Sequence, residues 1–310
     1  MKLGRRGYSV MFALCFLFLL SVMDYPFVSR IVNERSTKGA VISYEENIPR
    51  AQEEAETYRE AARAYNRSLA DSGVTVKDAF ASGTREEMQD TYEAMLNMDG
   101  TGIMGIIEIP KIHVELPIYH GTKEASLQKG AGHLEGSSLP VGGEDTHTCL
   151  SAHRGLPNKR MFTRLDEMET GDLFLIRVLG DTLAYRVIEV RTVKPTEVEA
   201  LGIRTGKDLA TLITCTPYGI NSHRLYVTGE RTSYTEEVET EVQEQGGNWL
   251  REWWWLILNA ALLLVMALLL YRFNQRWKRG ETERNRNRDN KTETRSRKGT
   301  DRKRKASKNE

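Results

Sequence analysis

Thr211-Leu-Ile-Thr-Cys-Thr-Pro-Tyr-Gly-Ile-Asn-Ser-His-Arg-Leu-Tyr-Val227 is the stretch on which the reading of this chain turns. The apolar β-run Leu209–Cys215 ends on a cysteine, and Arg224 opens the next run, Leu225–Gly229. Only a short loop, Thr216 to His223, separates the two, so the strands are expected to be antiparallel neighbours. Cys215 and Arg224 then face each other at one rim of a sheet. A cysteine at a strand end beside a cation is a setting that exposes the sulfur and favours the thiolate. Upstream, Ser151-Ala-His-Arg-Gly155 closes another β-run and supplies His153. Nucleophile, proton carrier and a cation for a developing oxyanion are the parts of thioester chemistry. By spacing alone, a buried structural cysteine and a hydrogen-bonded histidine remain the default reading.

The other short β-rich runs are Ile103–Ile109, His113–Tyr119, Thr146–Ala152, Leu173–Val178 and Leu183–Val190, separated by Pro, Gly and Asn. The pattern predicts a mainly β domain, a small barrel or sandwich, over residues 102–231. One helical stretch, Lys159 to Met168, is expected to interrupt it. Before the barrel, Ala51, Ala55, Tyr58, Ala62, Tyr65 and Leu69 recur at helical spacing, so Pro49–Ala70 reads as an amphipathic helix stopped by Asp71-Ser-Gly73. A polar segment with a short helix near Arg85–Leu96 leads into the barrel. These pieces make residues 28–101 a helical prefix and loop. Residues 232–252 read as a Glu-, Thr- and Gln-rich stalk.

Charge separates the chain into parts. Of its 310 residues, those from Arg272 to Glu310 hold 16 Lys/Arg and 6 Asp/Glu, a net of +10; the remainder holds 28 and 37, a net of −9. Two apolar segments explain the division. Gly7–Met23 follows Lys2, Arg5 and Arg6 and reads as a signal peptide or anchor within residues 1–27. Trp253–Tyr271 is long enough to span a bilayer and carries tryptophans at its start. Basic residues flank the outer ends of both segments, so both termini are expected in the cytoplasm and the catalytic domain outside. The basic tail, 272–310, is accounted for by anionic lipid without invoking nucleic acid.

Competing residues are weighed on the same terms. Cys149 shares a strand face with His147 and Ser151, so a Cys149–Cys215 bridge or a Cys149 nucleophile is conceivable, but it lacks the strand-end position and the arginine. His133, His147 and His153 lack a carboxylate or thiolate at ligand spacing, so hydrogen-bonded structural histidines are favoured over a metal site, and no cofactor is implied. His223 is expected to point away from Arg224.

The quoted stretch closely resembles the active-site segment of the sortases, membrane-anchored cysteine transpeptidases of Gram-positive bacteria. Their Thr-Leu-x-Thr-Cys motif falls on Thr211 to Cys215, their catalytic arginine on Arg224 and their histidine on His153. Gly132–Gly143 and Met161–Asp166 also resemble family segments. The resemblance implies a closed β-barrel of about eight strands. The helical prefix and second span resemble class C, the pilin-polymerising branch, in which a lid loop covers the active site. Asp78-Ala-Phe80 is the best match to its anchor, with Asp78 pairing with Arg224, Phe80 over Cys215, and Ala79 where the pattern has proline. The implied partners are pilin subunits or surface proteins with Leu-Pro-x-Thr-Gly-like sorting signals, and membrane lipid. Anchoring of proteins to cell-wall peptidoglycan is the alternative within the family. A hydrolytic cysteine protease, or a non-catalytic membrane receptor or scaffold, is the alternative outside it.

Overall fold

The computed structural model describes residues 5–48, 52–72, 89–98, 100–156, 159–245 and 254–306. It divides into two compact units. One, Met1–Asp24 with Trp249–Glu310, contains the start of helix α1 (Arg5–Asn47) and helix α6 (Trp254–Ala306). Both helices hold windows long and apolar enough to cross a membrane. Asn259 Nδ2 donates to Asp24 Oδ1 at 2.8 Å between them.

The other unit, Tyr25–Asn248, is built on eight strands: β1 (Ile103–Ile109), β2 (Val114–His120), β3 (Ala131–His133), β4 (Thr146–Ser151), β5 (Leu173–Val178), β6 (Asp181–Val193), β7 (Asp208–Thr216) and β8 (His223–Thr232). They close into a barrel in the order β1-β2-β3-β4-β7-β8-β6-β5. Closure leaves no unpaired edge. The β2–β3 and β4–β7 pairs are parallel and the others antiparallel.

Alternation along the strands sorts side chains onto two faces. Ile107, Leu116, Ile118, Leu150, Ile176, Leu212 and Val227 belong to the main core. Residues of opposite parity on β4, β7 and β8, namely Cys149, Ile213 and Tyr226, form a separate cluster with Leu134, Val193 and Leu201. This second cluster is the floor beneath the functional rim.

The prefix helix α2 (Gln52–Ser72) packs Ala55 and Ala62 on the main core, with Tyr58 and Tyr65 alongside. Asn66 secures it by exchanging two hydrogen bonds with the Leu139 backbone, 3.1 and 2.7 Å. Asp78 and Phe80 lie outside the described residues. Beyond them, the short helix α3 (Gln89–Ala94) brings Tyr92 into the barrel wall.

Four features differ from expectation. Lys159–Met168 is no helix: among its described residues only a 3-10 turn, Leu165–Glu167, forms. Met161 adopts a left-handed φ of +42°, and the Phe162 amide donates backwards to His153 O at 3.0 Å. The stalk contains a helix, α5 (Glu236–Gln245), whose Val238 and Val242 pack on Leu173, Leu175 and Ala184 of the barrel's outer surface. Two buried valines stabilise that docking by roughly 3 kcal/mol as an upper figure. Strand β3, only three residues long, was not expected; helix α1 also runs on far past the apolar Gly7–Met23 segment.

His133 and His147 are fully buried and structural. His133 Nε2 faces Ser138 O at 2.9 Å and Nδ1 faces the Tyr92 hydroxyl at 2.7 Å. His147 Nδ1 faces Gly202 O at 2.8 Å and Nε2 the Thr211 hydroxyl at 2.7 Å. His147 thus meets one carbonyl and one hydroxyl, and His133 one carbonyl and two hydroxyls, the second being Ser137 Oγ at 3.2 Å from Nε2; a neutral imidazole suits both settings. Burial holds the pKa of each down at about 4, below the ordinary 6.5. The unfolded chain therefore binds more protons between these values, so stability is complete above pH 6.5 and falls as the pH drops towards 4. Each histidine should cost about 2 kcal/mol between pH 7 and pH 5. Urea unfolding followed by near-ultraviolet circular dichroism should show the midpoint falling across that range, whereas an unchanged midpoint would mean that these histidines are charged in the fold.

Candidate active site

The β7–β8 register pairs Cys215 directly with Arg224 and Thr216 with His223. The β4–β7 register is parallel and ends at the pair Ser151–Ile213. Continuing it by two positions sets His153 level with Cys215. Two bonds carry the alignment past the last pair: Ala152 N donates to Ile213 O at 3.1 Å, and Thr214 Oγ1 donates to Ala152 O at 2.8 Å. By parity, His153, Cys215 and Arg224 share the face of Cys149, Ile213 and Tyr226. Register and parity therefore place His153, Cys215 and Arg224 at one rim and on one face, that of the small apolar floor. Leu201, from the connection between β6 and β7, completes that floor.

Each member is held differently. Cys215, near the end of β7, is partly exposed. Arg224 is 7% exposed, and its Nη1 donates to Asn221 O and His223 O, both at 3.3 Å. Asn221 lies in the β7–β8 turn with a left-handed φ of +59°, and His223 is the first residue of β8. The turn therefore aims the guanidinium as well as reversing the chain. His153 Nε2 lies 3.3 and 3.2 Å from the two carboxylate oxygens of Glu124, on the short helix α4 (Glu124–Leu127). Glu124 has its own pKa held down, first by a hydrogen bond from Gln128 and then by His153. The carboxylate is 67% exposed, so solvent weakens the pair to well under 1 kcal/mol.

The rival cysteine is in a different situation. Cys149 is wholly buried within the apolar floor, and desolvation pushes its thiol pKa far up. Cys149 and Cys215 are both free thiols, so the bridge between them does not form. Among the described residues no group of three or more His, Cys, Asp or Glu side chains is arranged to hold a metal ion.

Two neighbours of the site were not singled out from sequence. Glu124 stands 29 residues before His153, on a helix of four residues too short to leave a pattern. Arg154 follows His153 directly, but its partners Asp166 and Thr216 lie 12 and 62 residues away, so nothing local marks it.

Comparison with known proteins agrees with this geometry. The Sortase domain family matches residues 107–232. Sortase D of Bacillus subtilis is 31% identical over 154 residues, covering 49% of this chain and 75% of that protein. Among solved structures, sortase C-1 of Actinomyces oris is 44% identical with a TM-score of 0.55, covering 58% of this chain and 99% of that one. Sortase C1 of Streptococcus agalactiae is 41% identical with a TM-score of 0.58, covering 65% and 98%. Sortase C of Streptococcus pneumoniae is 43% identical with a TM-score of 0.56, covering 64% and 98%. By these identities and coverages, this chain belongs to the sortase family of cysteine transpeptidases of Gram-positive bacteria, in its class C branch.

Proposed function

We propose that this chain polymerises pilins, cutting a Leu-Pro-x-Thr-Gly-like sorting signal between Thr and Gly and joining the Thr carbonyl to a lysine amine of another subunit. The observation that carries the reading is the pairing of Cys215 with Arg224, with His153 level with the cysteine across the parallel strand. The Cys215 thiolate attacks the Thr carbonyl carbon, and the oxyanion that forms faces the Arg224 guanidinium. As the carbon–nitrogen bond breaks, His153 gives its proton to the departing glycine amine, leaving a thioester. A lysine amine then attacks the thioester carbonyl, His153 takes up its proton, and the Cys215 thiolate leaves. An isopeptide bond replaces the peptide bond, with no net redox change.

The apolar helices are read as anchors, with the barrel on the outer side and the basic tail inside. The charge of Lys2, Arg5 and Arg6 and of residues 272–310 supports that orientation. Asp78-Ala-Phe80 is read as the lid anchor: Asp78 would pair with Arg224 and Phe80 would shield Cys215.

Incubation of the detergent-solubilised chain with pilins from the same genome should give a Thr–Lys linkage by mass spectrometry. Hydrolysis alone, or exclusive use of a peptidoglycan-type amine, would overturn the pilin reading. Cys215→Ala should abolish the product while Cys149→Ala stays within a few-fold, a difference on the order of 1 kcal/mol in the barrier; the reverse order would reassign the nucleophile. Arg224→Lys should be severely impaired although the charge is kept, because lysine offers no planar donor fork. Near-normal turnover would reduce Arg224 to a general field effect. For the lid, an exposed ion pair contributes about 1 kcal/mol or less and a covered aromatic about 1.5–3 kcal/mol. Replacing Asp78 and Phe80 together by Ala should therefore speed alkylation of Cys215 roughly tenfold or more. Equal rates in the two proteins would remove that triplet from the lid.

A further inference from the structure

Strand pairing between β4 and β7 stops short of the reacting groups. The last backbone bond joins Ala152 N to Ile213 O, one residue before His153 and two before Cys215. Something beyond the ladder must hold the two rims at working distance, since a displacement of about 1 Å at a reacting pair can cost on the order of a hundredfold in rate.

The His153 backbone is fastened on several sides. The carbonyl of His153 accepts the Phe162 amide at 3.0 Å, and the Gly155 amide donates to Thr163 Oγ1 at 3.3 Å. Gly155 has a φ of +89°, and a Cβ there would lie 2.9 Å from the Tyr218 ring. These contacts fix the loop against the segment 161–163 and the turn after β7. They do not reach Thr216, the residue that follows Cys215.

Arg154 does. Its Nη1 donates to Thr216 Oγ1 at 3.1 Å, and its Nη2 donates to Asp166 Oδ2 at 2.6 Å. The side chain is only 9% exposed, while Asp166 is 50% exposed. One rigid guanidinium thus joins three segments: the His153 loop, the end of β7 and the 3-10 turn Leu165–Glu167. Two acceptors on different segments need a planar fork, which lysine does not have.

We propose that Arg154 is a positioning residue that sets His153 against Cys215 by clasping Thr216 and Asp166. The inference rests on the reading of Cys215 and His153 as the reacting pair. Asp166 supplies the counter-charge that keeps the guanidinium in place, and Thr216 carries the constraint to the residue after the nucleophile.

The test uses the full chain in detergent micelles and iodoacetamide as the probe, with modification of Cys215 followed by mass spectrometry. The readout is the ratio of alkylation rates at pH 6 and pH 9, which reports how far an imidazolium beside the sulfur sustains the thiolate at low pH. Arg154→Ala should lower that ratio at least fivefold, Arg154→Lys should lower it nearly as far, and millimolar guanidinium should restore much of it to Arg154→Ala alone. Where Arg154→Ala does not fold, Asp166→Asn combined with Thr216→Val decides, and should lower the ratio at least threefold with a near-normal melting temperature. A wild-type ratio in the folded variants, whatever their melting temperature, overturns the proposal. His153→Ala separates the two readings. If it lowers the ratio and the Arg154 and clasp variants do not, only the clasp fails; if it leaves the ratio unchanged, the Cys215–His153 pairing itself fails.

Discussion

Six consecutive pairs between parallel strands β4 and β7, from Thr146–Asp208 to Ser151–Ile213, fix where His153 stands relative to Cys215. The antiparallel pairing of β7 with β8 then fixes Arg224 opposite Cys215. A slip of one residue in either ladder would turn the affected strand over, since the side-chain period is two. Such a slip would drive Leu212 and Leu150 out of the main core and put Ile213 or Cys149 in their place. Burial on both faces therefore specifies the register, and the register builds the site. The alignment of His153, Cys215 and Arg224 is a by-product of a core that packs in only one register.

The second face has its own logic. The cluster of Leu134, Cys149, Val193, Leu201, Ile213 and Tyr226 gives the rim a dry, close-packed floor. Cys149 belongs to this floor, and its burial makes it chemically inert while Cys215, at the strand end, stays accessible. Two thiols on the same sheet are thus separated in reactivity by position alone. The buried histidines are separated from His153 in the same way. His133 and His147 spend both ring nitrogens within the barrel, whereas His153 sits at the rim beside Glu124.

Much of this was legible in the sequence because strands buried on both faces read as short, nearly continuous apolar runs set off by Pro, Gly and Asn. The runs at Ile103–Ile109 and Leu173–Val178 coincide with β1 and β5, and Leu209–Cys215 lies within β7. The Cys215–Arg224 pairing followed from loop length, and Ser151-Ala-His-Arg-Gly155 offered His153 as a candidate beside it. What escaped had no local signal. Ala131-Gly-His133 is too short to alternate, and becomes a strand only because β2 and β4 lie on either side of it. The segment 159–168 has helical spacing, but its amide at Phe162 is claimed by the His153 carbonyl. Arg154 and Glu124 act through partners that only the closed barrel brings near. The polar segment after β8 looked like a stalk because its two apolar contacts, Val238 and Val242, are spaced for a helix yet outnumbered by glutamates.

The account's central claim is that Cys215 forms the covalent intermediate. Trapping that intermediate tests it most directly. The solubilised chain carrying Ala at positions 78 and 80 would be mixed with a Leu-Pro-x-Thr-Gly peptide library, quenched in acid and digested for mass spectrometry. The account predicts an acyl adduct ending in Thr, removable by hydroxylamine, on the peptide containing Cys215 and not on the one containing Cys149. An adduct on Cys149, or none on either cysteine while the peptides are still cut, would contradict it.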